Sequence, residues 1–167
     1  MKADIGIILG SDSDFPIFEK AIGLLEGWGI PFVVEVSSAH RTPRRTVRLA
    51  SVFEKMGIRV VIAAAGGAAH LAGSIAAHTP LPVLAVPVTS PLLGLDSLLS
   101  MVQMPGGVPV ATFGIGESGA LNAVLFAIEI LALNDGKLKK SLERFRREQE
   151  TAVLVKSRRL KERLNRR

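Results

Sequence analysis

The chain has 167 residues, of which 48% are hydrophobic and only 5% are aromatic, so it can bury one aliphatic core without staples. It contains no cysteine, which excludes disulfides, thiolate metal sites and a cysteine nucleophile and favours a reducing, cytoplasmic setting. The formal net charge is +6, but residues 136–167 carry +9 while residues 1–135 carry −3, so a basic surface over the whole molecule is excluded.

Short apolar runs alternate with helical patterns along the chain. The runs are apolar on both faces, as buried parallel strands require, and they predict strands at 4–10, 32–36, 59–65, 82–88 and 108–114. Helical patterns follow at 16–28, 43–56, 68–77, 92–102 and 120–133. This order predicts an α/β fold with a three-layer, doubly wound parallel sheet of the flavodoxin-like kind.

The basic end of the chain differs from the rest. Residues 1–135 are predicted to form a single α/β catalytic domain, and residues 136–167 a basic C-terminal helical extension. Nucleic-acid binding by this extension is an alternative, but a solvated helix that packs on its own body or on a neighbouring subunit is favoured. The N-terminal apolar stretch is too short for a signal peptide, and prolines or His70 interrupt the longest apolar stretches, so neither secretion nor membrane insertion is predicted.

The loops that follow the strands are where an open parallel sheet binds its ligands. The first loop reads GSDSDFP and precedes a helix. There the Ser11 hydroxyl and the free N–H groups at the helix start are predicted to hold a phosphate, while the Asp14 carboxylate accepts ribose hydroxyls. The alternative is that these side chains only cap the helix and shape the turn.

The second loop, SSAHRTP, places a histidine and an arginine beside small hydroxyl residues. Thr42 and Pro43 have the character of a helix N-cap and first helical residue, which puts the loop at the mouth of the sheet. His40 is a candidate for proton transfer near neutral pH, and Arg41, next to Ser38, can bind a phosphate through two parallel hydrogen bonds. The alternatives are a structural histidine and an arginine in an exposed ion pair.

The third loop, AAGGAAHLAG, offers backbone with few side chains. A flat ligand can approach the main chain closely at Gly66 and Gly67, although tight packing between helix and sheet uses small residues as well. His70 follows, where it can contact ligand or cap a helix, and His78 is assigned a structural role. The histidines do not have the spacing of metal ligands on one helix, such as HExxH, and no cluster of acidic residues accompanies them, so no metal is predicted.

A GxGxxG pattern at Gly114, Gly116 and Gly119 follows the fifth predicted strand. In dinucleotide-binding folds this motif belongs to the first strand–helix unit and is followed by another strand. No strand follows here, so these glycines are predicted to serve a turn and close packing. The Walker phosphate motif and the GxSxG nucleophile elbow are absent from the sequence.

In this order, GSDSD, SAHRTP, AAGGAAHLAG and LDSLLSMVQMPGGVPVAT resemble the class I N5-carboxyaminoimidazole ribonucleotide mutases of bacterial purine biosynthesis, the family of the phosphoribosylaminoimidazole carboxylase catalytic subunit. The resemblance runs from about Asp4 to Leu133. SAHRTP is highly specific for that family, whereas GSxSD alone is weak. One departure is Ala72, where the family usually has proline, and it is expected to loosen the loop slightly.

The resemblance implies an isomerase that moves a carboxylate from the exocyclic nitrogen of an aminoimidazole ribonucleotide to ring carbon C4, with carbon dioxide as intermediate and no cofactor. By matching positions, Ser11, Asp14 and Arg41 are similar to the family's ribonucleotide binders. His40 is similar to its general acid and base, and His70 to a second histidine at the reacting end. The family also implies a homo-octamer. Two alternatives are a carboxylase that uses carbon dioxide directly and a non-catalytic nucleotide-binding module.

Overall fold

The computed structural model describes residues 3–165. Its strands are β1 (Ile5–Leu9), β2 (Phe32–Val36), β3 (Val60–Ala65), β4 (Val83–Pro87) and β5 (Ala111–Thr112). Its α-helices are α1 (Glu19–Gly27), α2 (Pro43–Lys55), α3 (Leu71–Ala76), α4 (Leu95–Val102), α5 (Glu117–Ala132) and α6 (Gly136–Asn165), and a 3₁₀ helix covers Asp12–Phe18. Strands and helices therefore alternate as predicted.

The sheet is parallel throughout and has the strand order β2-β1-β3-β4-β5. This is the flavodoxin-like order, in which the chain winds outward in both directions from β1 and β3. The predicted doubly wound α/β fold is therefore confirmed. The two connections that leave β1 and β3 diverge at the carboxyl edge of the sheet, and a crevice opens there.

Both faces of the central strands β1, β3 and β4 are buried, which explains their continuous apolar sequences, whereas the edge strands β2 and β5 are only partly covered. One face packs Ile8, Val61 and Ala63 against α2 and α3, with Phe53 among the buried side chains. A side chain at Gly6 would lie 2.3 Å from the Phe53 ring, so glycine lets α2 approach β1 closely. Side chains that alternate to the opposite face, such as Ile7, are fully buried as well. A single aliphatic core of this kind provides the rigid support for the loops at the carboxyl edge.

Several predicted elements are shorter than expected, and a proline lies at two of the differences. The first helix was predicted from Pro16, but residues 12–18 are 3₁₀ and the α-helix starts at Glu19, whose N–H donates only three residues back, to Pro16 O. The last strand was predicted over 108–114, but it pairs with β4 only at Ala111 and Thr112. Pairing starts after Pro109, which cannot donate to the ladder.

The described residues form two compact units, which divide between Ala127 and Ile128. In the second unit, the Arg146 guanidinium donates to the Glu129 carboxylate at 2.5 Å, and residues 151–165 of α6 are exposed along their whole length. The division into a catalytic domain to residue 135 and an extension from residue 136 stays a prediction. Within residues 3–165 no helix combines the length and the apolar character needed to cross a bilayer.

Candidate active site

A cavity of about 380 Å³ lies at the carboxyl edge of the sheet, where the loops after β1, β2 and β3 meet. Its lining combines hydroxyl, carboxylate, imidazole and guanidinium groups with small apolar residues. The lining residues are Gly10, Ser11, Asp14, Ser38, Ala39, His40, Arg41, Ala65, Gly66, Ala68, His70 and Leu71. Seven of the eight site residues predicted from sequence are therefore brought together, and Gly67 is the exception.

The first loop combines capping with a polar surface toward the cavity. The Ser11 N–H donates to Asp14 Oδ2 at 3.1 Å, and the Ser13 hydroxyl donates to Ser11 Oγ at 2.8 Å. The capping interpretation of these residues is thus correct. It leaves room for a second role, because Ser11 and Asp14 also line the cavity.

Asp14 is buried, and burial costs free energy for its charged carboxylate form. It is only 8% exposed, and this burial raises the pKa of its carboxyl above the ordinary value, with a further increase from the nearby Asp12 charge. The Ser11 N–H bond opposes the increase in the Asp14 pKa only in part. A buried acceptor that lowers stability and faces a cavity is a feature expected of a ligand-binding group.

Replacing Asp14 with Asn is expected to stabilise the unliganded protein at pH 7. The pKa of Asp14 is raised on folding, so the folded state binds the proton more tightly, and its stability falls as pH rises from the unfolded pKa through the folded pKa. The asparagine amide would keep an oxygen for the Ser11 N–H without the charge. We expect a Tm increase of about 2–4 °C at pH 7, equivalent to roughly 1 kcal/mol, that disappears at about pH 4. Calorimetry across this pH range measures it, and a destabilised variant at pH 7 would contradict it.

Hydroxyl side chains fix the conformation of the second loop. The Thr42 hydroxyl accepts the Ser38 N–H and donates to Ser38 O, both at 3.0 Å. Thr42 and Pro43 occupy the predicted N-cap and first helical positions, but the Thr42 hydroxyl makes no bond to the helix. The buried hydroxyls of Ser37 and Thr46 lie 2.9 Å apart behind the loop. This network holds the segment 38–41 at the cavity.

Arg41 lines the cavity, and within residues 3–165 it has no acidic partner. Its N–H and Nε both donate to Ser38 Oγ, at 3.2 and 3.4 Å. In the described residues no carboxylate lies within 4.0 Å of the Arg41 guanidinium, whereas Arg45 pairs with Glu35 at 2.6 Å. Among the described residues the ion-pair alternative for Arg41 is therefore wrong, and its guanidinium is available to an anionic ligand in the cavity.

His40 and His70 meet although 30 residues separate them. His40 Nε2 lies 2.9 Å from His70 Nδ1, and the ring centroids are 5.0 Å apart in an edge-on arrangement with an interplanar angle of 79°. A hydrogen bond between these nitrogens requires that one carries the proton and the other accepts it, so the tautomers of the two rings are linked. His70 does not cap α3 with its side chain, which removes one alternative for it. The pair can store and deliver a single proton at the cavity wall.

The third loop contains two glycines with different surroundings. Gly66 lines the cavity, whereas the Gly67 N–H points to the Ser97 hydroxyl on α4, at 2.9 Å. Ala72 was expected to loosen this loop, but it is the second residue of α3 and is fully buried, so it lies in a helix and not in the loop. Sequence reasoning missed Ser97, because nothing in the sequence links a helical serine to a loop 30 residues earlier.

The remaining motifs lie outside the cavity. A side chain at Gly119 would lie 1.6 Å from the Gly114 carbonyl oxygen, and Gly116 has φ +75°, which confirms the turn-and-packing interpretation of the GxGxxG pattern. His78 Nδ1 lies 2.8 Å from Ser74 O, in agreement with a structural role. Across residues 3–165, no three side chains of His, Cys, Asp or Glu are grouped closely enough to hold a metal ion.

The chain is similar to known proteins over most of its length. A sequence model described as AIR carboxylase matches residues 4–152. The chain belongs to the AIR carboxylase family. The solved structure of Treponema denticola PurE has the same fold, with a TM-score of 0.81 and 25% identity, over 90% of this chain and 94% of that one. The resemblance seen in the motifs of the first three loops is confirmed as family membership.

Curated relatives of the family have two different names. The protein of Synechocystis sp., named N5-carboxyaminoimidazole ribonucleotide mutase, is 52% identical over 91% of this chain and 86% of its own. The Pyrococcus horikoshii protein with the same name is 49% identical over 96% and 90%. A phosphoribosylaminoimidazole carboxylase of Saccharomyces cerevisiae is 50% identical over 96% of this chain, but only 28% of the yeast protein is covered.

Proposed function

We propose that this chain is an isomerase that converts N5-carboxyaminoimidazole ribonucleotide to 4-carboxy-5-aminoimidazole ribonucleotide in de novo purine biosynthesis. The observation that carries the proposal is the 2.9 Å contact between His40 and His70 in a cavity that also contains Ser11 and Arg41. Relatives of similar length that carry the mutase name are about half identical to this chain. The substrate is accordingly a small phosphorylated nucleotide.

The cavity has separate places for the parts of this substrate. The phosphate is bound by Arg41, with Ser38 beside it, and by Ser11. Their guanidinium and hydroxyl groups are the hydrogen-bond donors in the cavity that suit a phosphate at neutral pH. Asp14 accepts hydrogen bonds from the ribose hydroxyls. The aminoimidazole ring lies over the backbone at Gly66, which brings its reacting nitrogen and carbon toward His40. Anchoring the phosphate orients the reacting end and can lower the barrier by several kcal/mol.

The reaction needs one proton to be given and one to be taken. The bond between the exocyclic nitrogen and the carboxylate carbon breaks, which frees carbon dioxide inside the cavity. His40 delivers a proton to the nitrogen. The ring carbon C4 then attacks the retained carbon dioxide, and the same imidazole removes the C4 proton. His40 ends in its starting protonation state, so the cycle balances without a cofactor. Ala65, Ala68 and Leu71 wall the cavity and provide a small apolar space for the gas.

A direct carboxylase that adds carbon dioxide to aminoimidazole ribonucleotide is the second candidate. It is favoured by the name of the yeast relative, which matches 96% of this chain. Turnover of each substrate by the purified protein at low carbon dioxide separates the two candidates. We expect rapid conversion of the N-carboxylated nucleotide and little of the uncarboxylated one, and the reverse order would overturn the mutase assignment.

Assembly and location are further parts of the proposal. We infer a cytoplasmic homo-octamer, and the exposed apolar side chains at Leu92, Leu93, Leu95, Leu99 and Val102 support subunit contacts, since exposed apolar groups close together along a chain are often covered by a partner. Light scattering should give a mass eight times that of the 17.8 kDa chain. The basic extension is not expected to bind nucleic acid. DNA binding measured at several salt concentrations should therefore be the same for the full chain and for a variant that lacks residues 137–167.

A further inference from the structure

A buried hydroxyl outside the cavity joins the third loop to α4. Ser97 is 0% exposed. Its Oγ accepts the Gly67 N–H at 2.9 Å and its hydroxyl hydrogen is donated to Val88 O at 2.8 Å. Gly67 follows β3 and Val88 follows β4, so one side chain fixes the ends of two neighbouring strands against one helix. Since both partners are backbone groups, this hydroxyl restrains the loop itself. The Ser100 hydroxyl adds a longer contact from the same helix, to Gly67 O at 3.4 Å.

The segment anchored by Ser97 is a tight turn that leads directly to His70. Gly67 has φ +66°, a conformation in which other residues are strained. The Ala69 N–H donates to Gly67 O and the His70 N–H donates to Ala68 O, both at 2.8 Å. A side chain at Gly67 would meet nothing within 4 Å, so the backbone conformation and not close packing requires glycine there.

The turn decides whether the two histidines meet. His70 Nδ1 and His40 Nε2 are 2.9 Å apart, and a hydrogen bond weakens steeply when this distance grows by more than a few tenths of an ångström. His40 is held by the separate hydroxyl network of the second loop, through Ser38 and Thr42. A shift of the third loop alone would therefore separate the two rings.

We propose that Ser97 is a positioning residue for the carboxyl transfer described above, holding the Gly67 turn so that His70 stays in hydrogen-bonding contact with His40. This inference rests on the proposed function for its effect on turnover. Gly67 then acts through its N–H bond to Ser97 and not by touching the substrate, which agrees with its absence from the cavity lining. Because Ser11, Asp14 and Arg41 lie on other loops, the Ser97 hydroxyl affects turnover more than substrate affinity.

The test is the variant Ser97→Ala, compared with Thr112→Val as a matched control. The Thr112 hydroxyl donates to Met101 O at 3.2 Å, so the control removes a hydroxyl bond to the same helix away from the cavity. For Ser97→Ala we expect kcat to fall about 10–100-fold with KM within about threefold, because misplacement of about 1 Å can cost 10² in rate. In the unliganded protein, the ¹⁵N resonances of His40 and His70 should shift, while those of His78 do not.

Two more variants keep the test decisive if Ser97→Ala fails to fold. Ser97→Cys retains a weak hydrogen-bonding group of similar size and should give an intermediate kcat. Gly67→Ala strains only the turn and should lower kcat with little change in KM. A Ser97→Ala or Gly67→Ala protein with the kcat of Thr112→Val and unchanged histidine resonances would overturn the proposal. If the wild type lacks mutase activity, the proposed function fails, whereas the histidine resonances still decide the role of Ser97.

Discussion

His40→Asn is expected to lower kcat by about 10³-fold, within the 10²–10⁴ range that a positioned general acid–base contributes. In the proposed reaction the same imidazole protonates the leaving nitrogen and removes the C4 proton, so no other group replaces it. His70 remains, but its Nδ1 loses the partner at 2.9 Å. Asn is close to His in shape and retains hydrogen-bonding capacity, so KM should change less than about threefold. Steady-state kinetics with the N-carboxylated substrate measures both values.

The matched control for His40 is His78→Asn. His78 bonds to Ser74 O and does not line the cavity, so this variant should retain full turnover. A His40→Asn protein with the kcat of the control would contradict proton transfer by His40, whereas a wild-type protein that binds the nucleotide without turnover would support the non-catalytic nucleotide-binding module. Loss of substrate binding in His40→Asn, with the fold intact, would equally contradict the assignment of His40 to proton transfer alone.

The second large effect is expected at Arg41. Arg41→Lys should raise KM about tenfold and Arg41→Ala about 100-fold, because lysine keeps the charge but loses the fork that binds phosphate with two bonds. Among the described residues no carboxylate forms an ion pair with the Arg41 guanidinium. Replacing Arg41 should therefore leave no buried charge without a partner. The loss of stability should accordingly be within about 0.5 kcal/mol.

Arg48→Lys provides the comparison for Arg41. Arg48 is exposed on α2, which follows the loop that contains Arg41, and it lies outside the cavity, so the kinetics of Arg48→Lys should equal those of the wild type. Inhibition by ribose 5-phosphate, which contains only the anchored part of the substrate, should weaken in Arg41→Ala in parallel with KM. An Arg41→Ala protein with wild-type KM would place the phosphate elsewhere.

The fold could be predicted from sequence because its signals are local. Strands buried on both faces must be apolar throughout, as Ile5–Leu9 and Val60–Ala65 are, and helices between them require a parallel sheet. The patterns placed the starts of two elements too early: the α-helix begins three residues after Pro16, and strand pairing begins only after Pro109, which has no N–H for the ladder.

The candidate site could be predicted only as a set of loops. Strand order places β1 between β2 and β3, so the loops with His40 and His70 start about 10 Å apart and reach each other across the first loop. Neither this contact nor the absence of an ion pair at Arg41 follows from residue patterns. The role of Ser97 is even harder to predict from sequence. Its partners are backbone groups of Gly67 and Val88, and only the folded chain defines where these groups lie.

The most direct test of the mutase assignment follows the carbon atom that moves. N5-carboxyaminoimidazole ribonucleotide labelled with ¹³C in its carboxylate is given to the protein in buffer with excess unlabelled bicarbonate, and the product carboxylate is read by mass spectrometry. If carbon dioxide stays in the cavity between the two bond changes, the product retains the ¹³C. A product that carries unlabelled carbon would show that the gas comes from solution, and it would contradict the intramolecular transfer proposed for this chain.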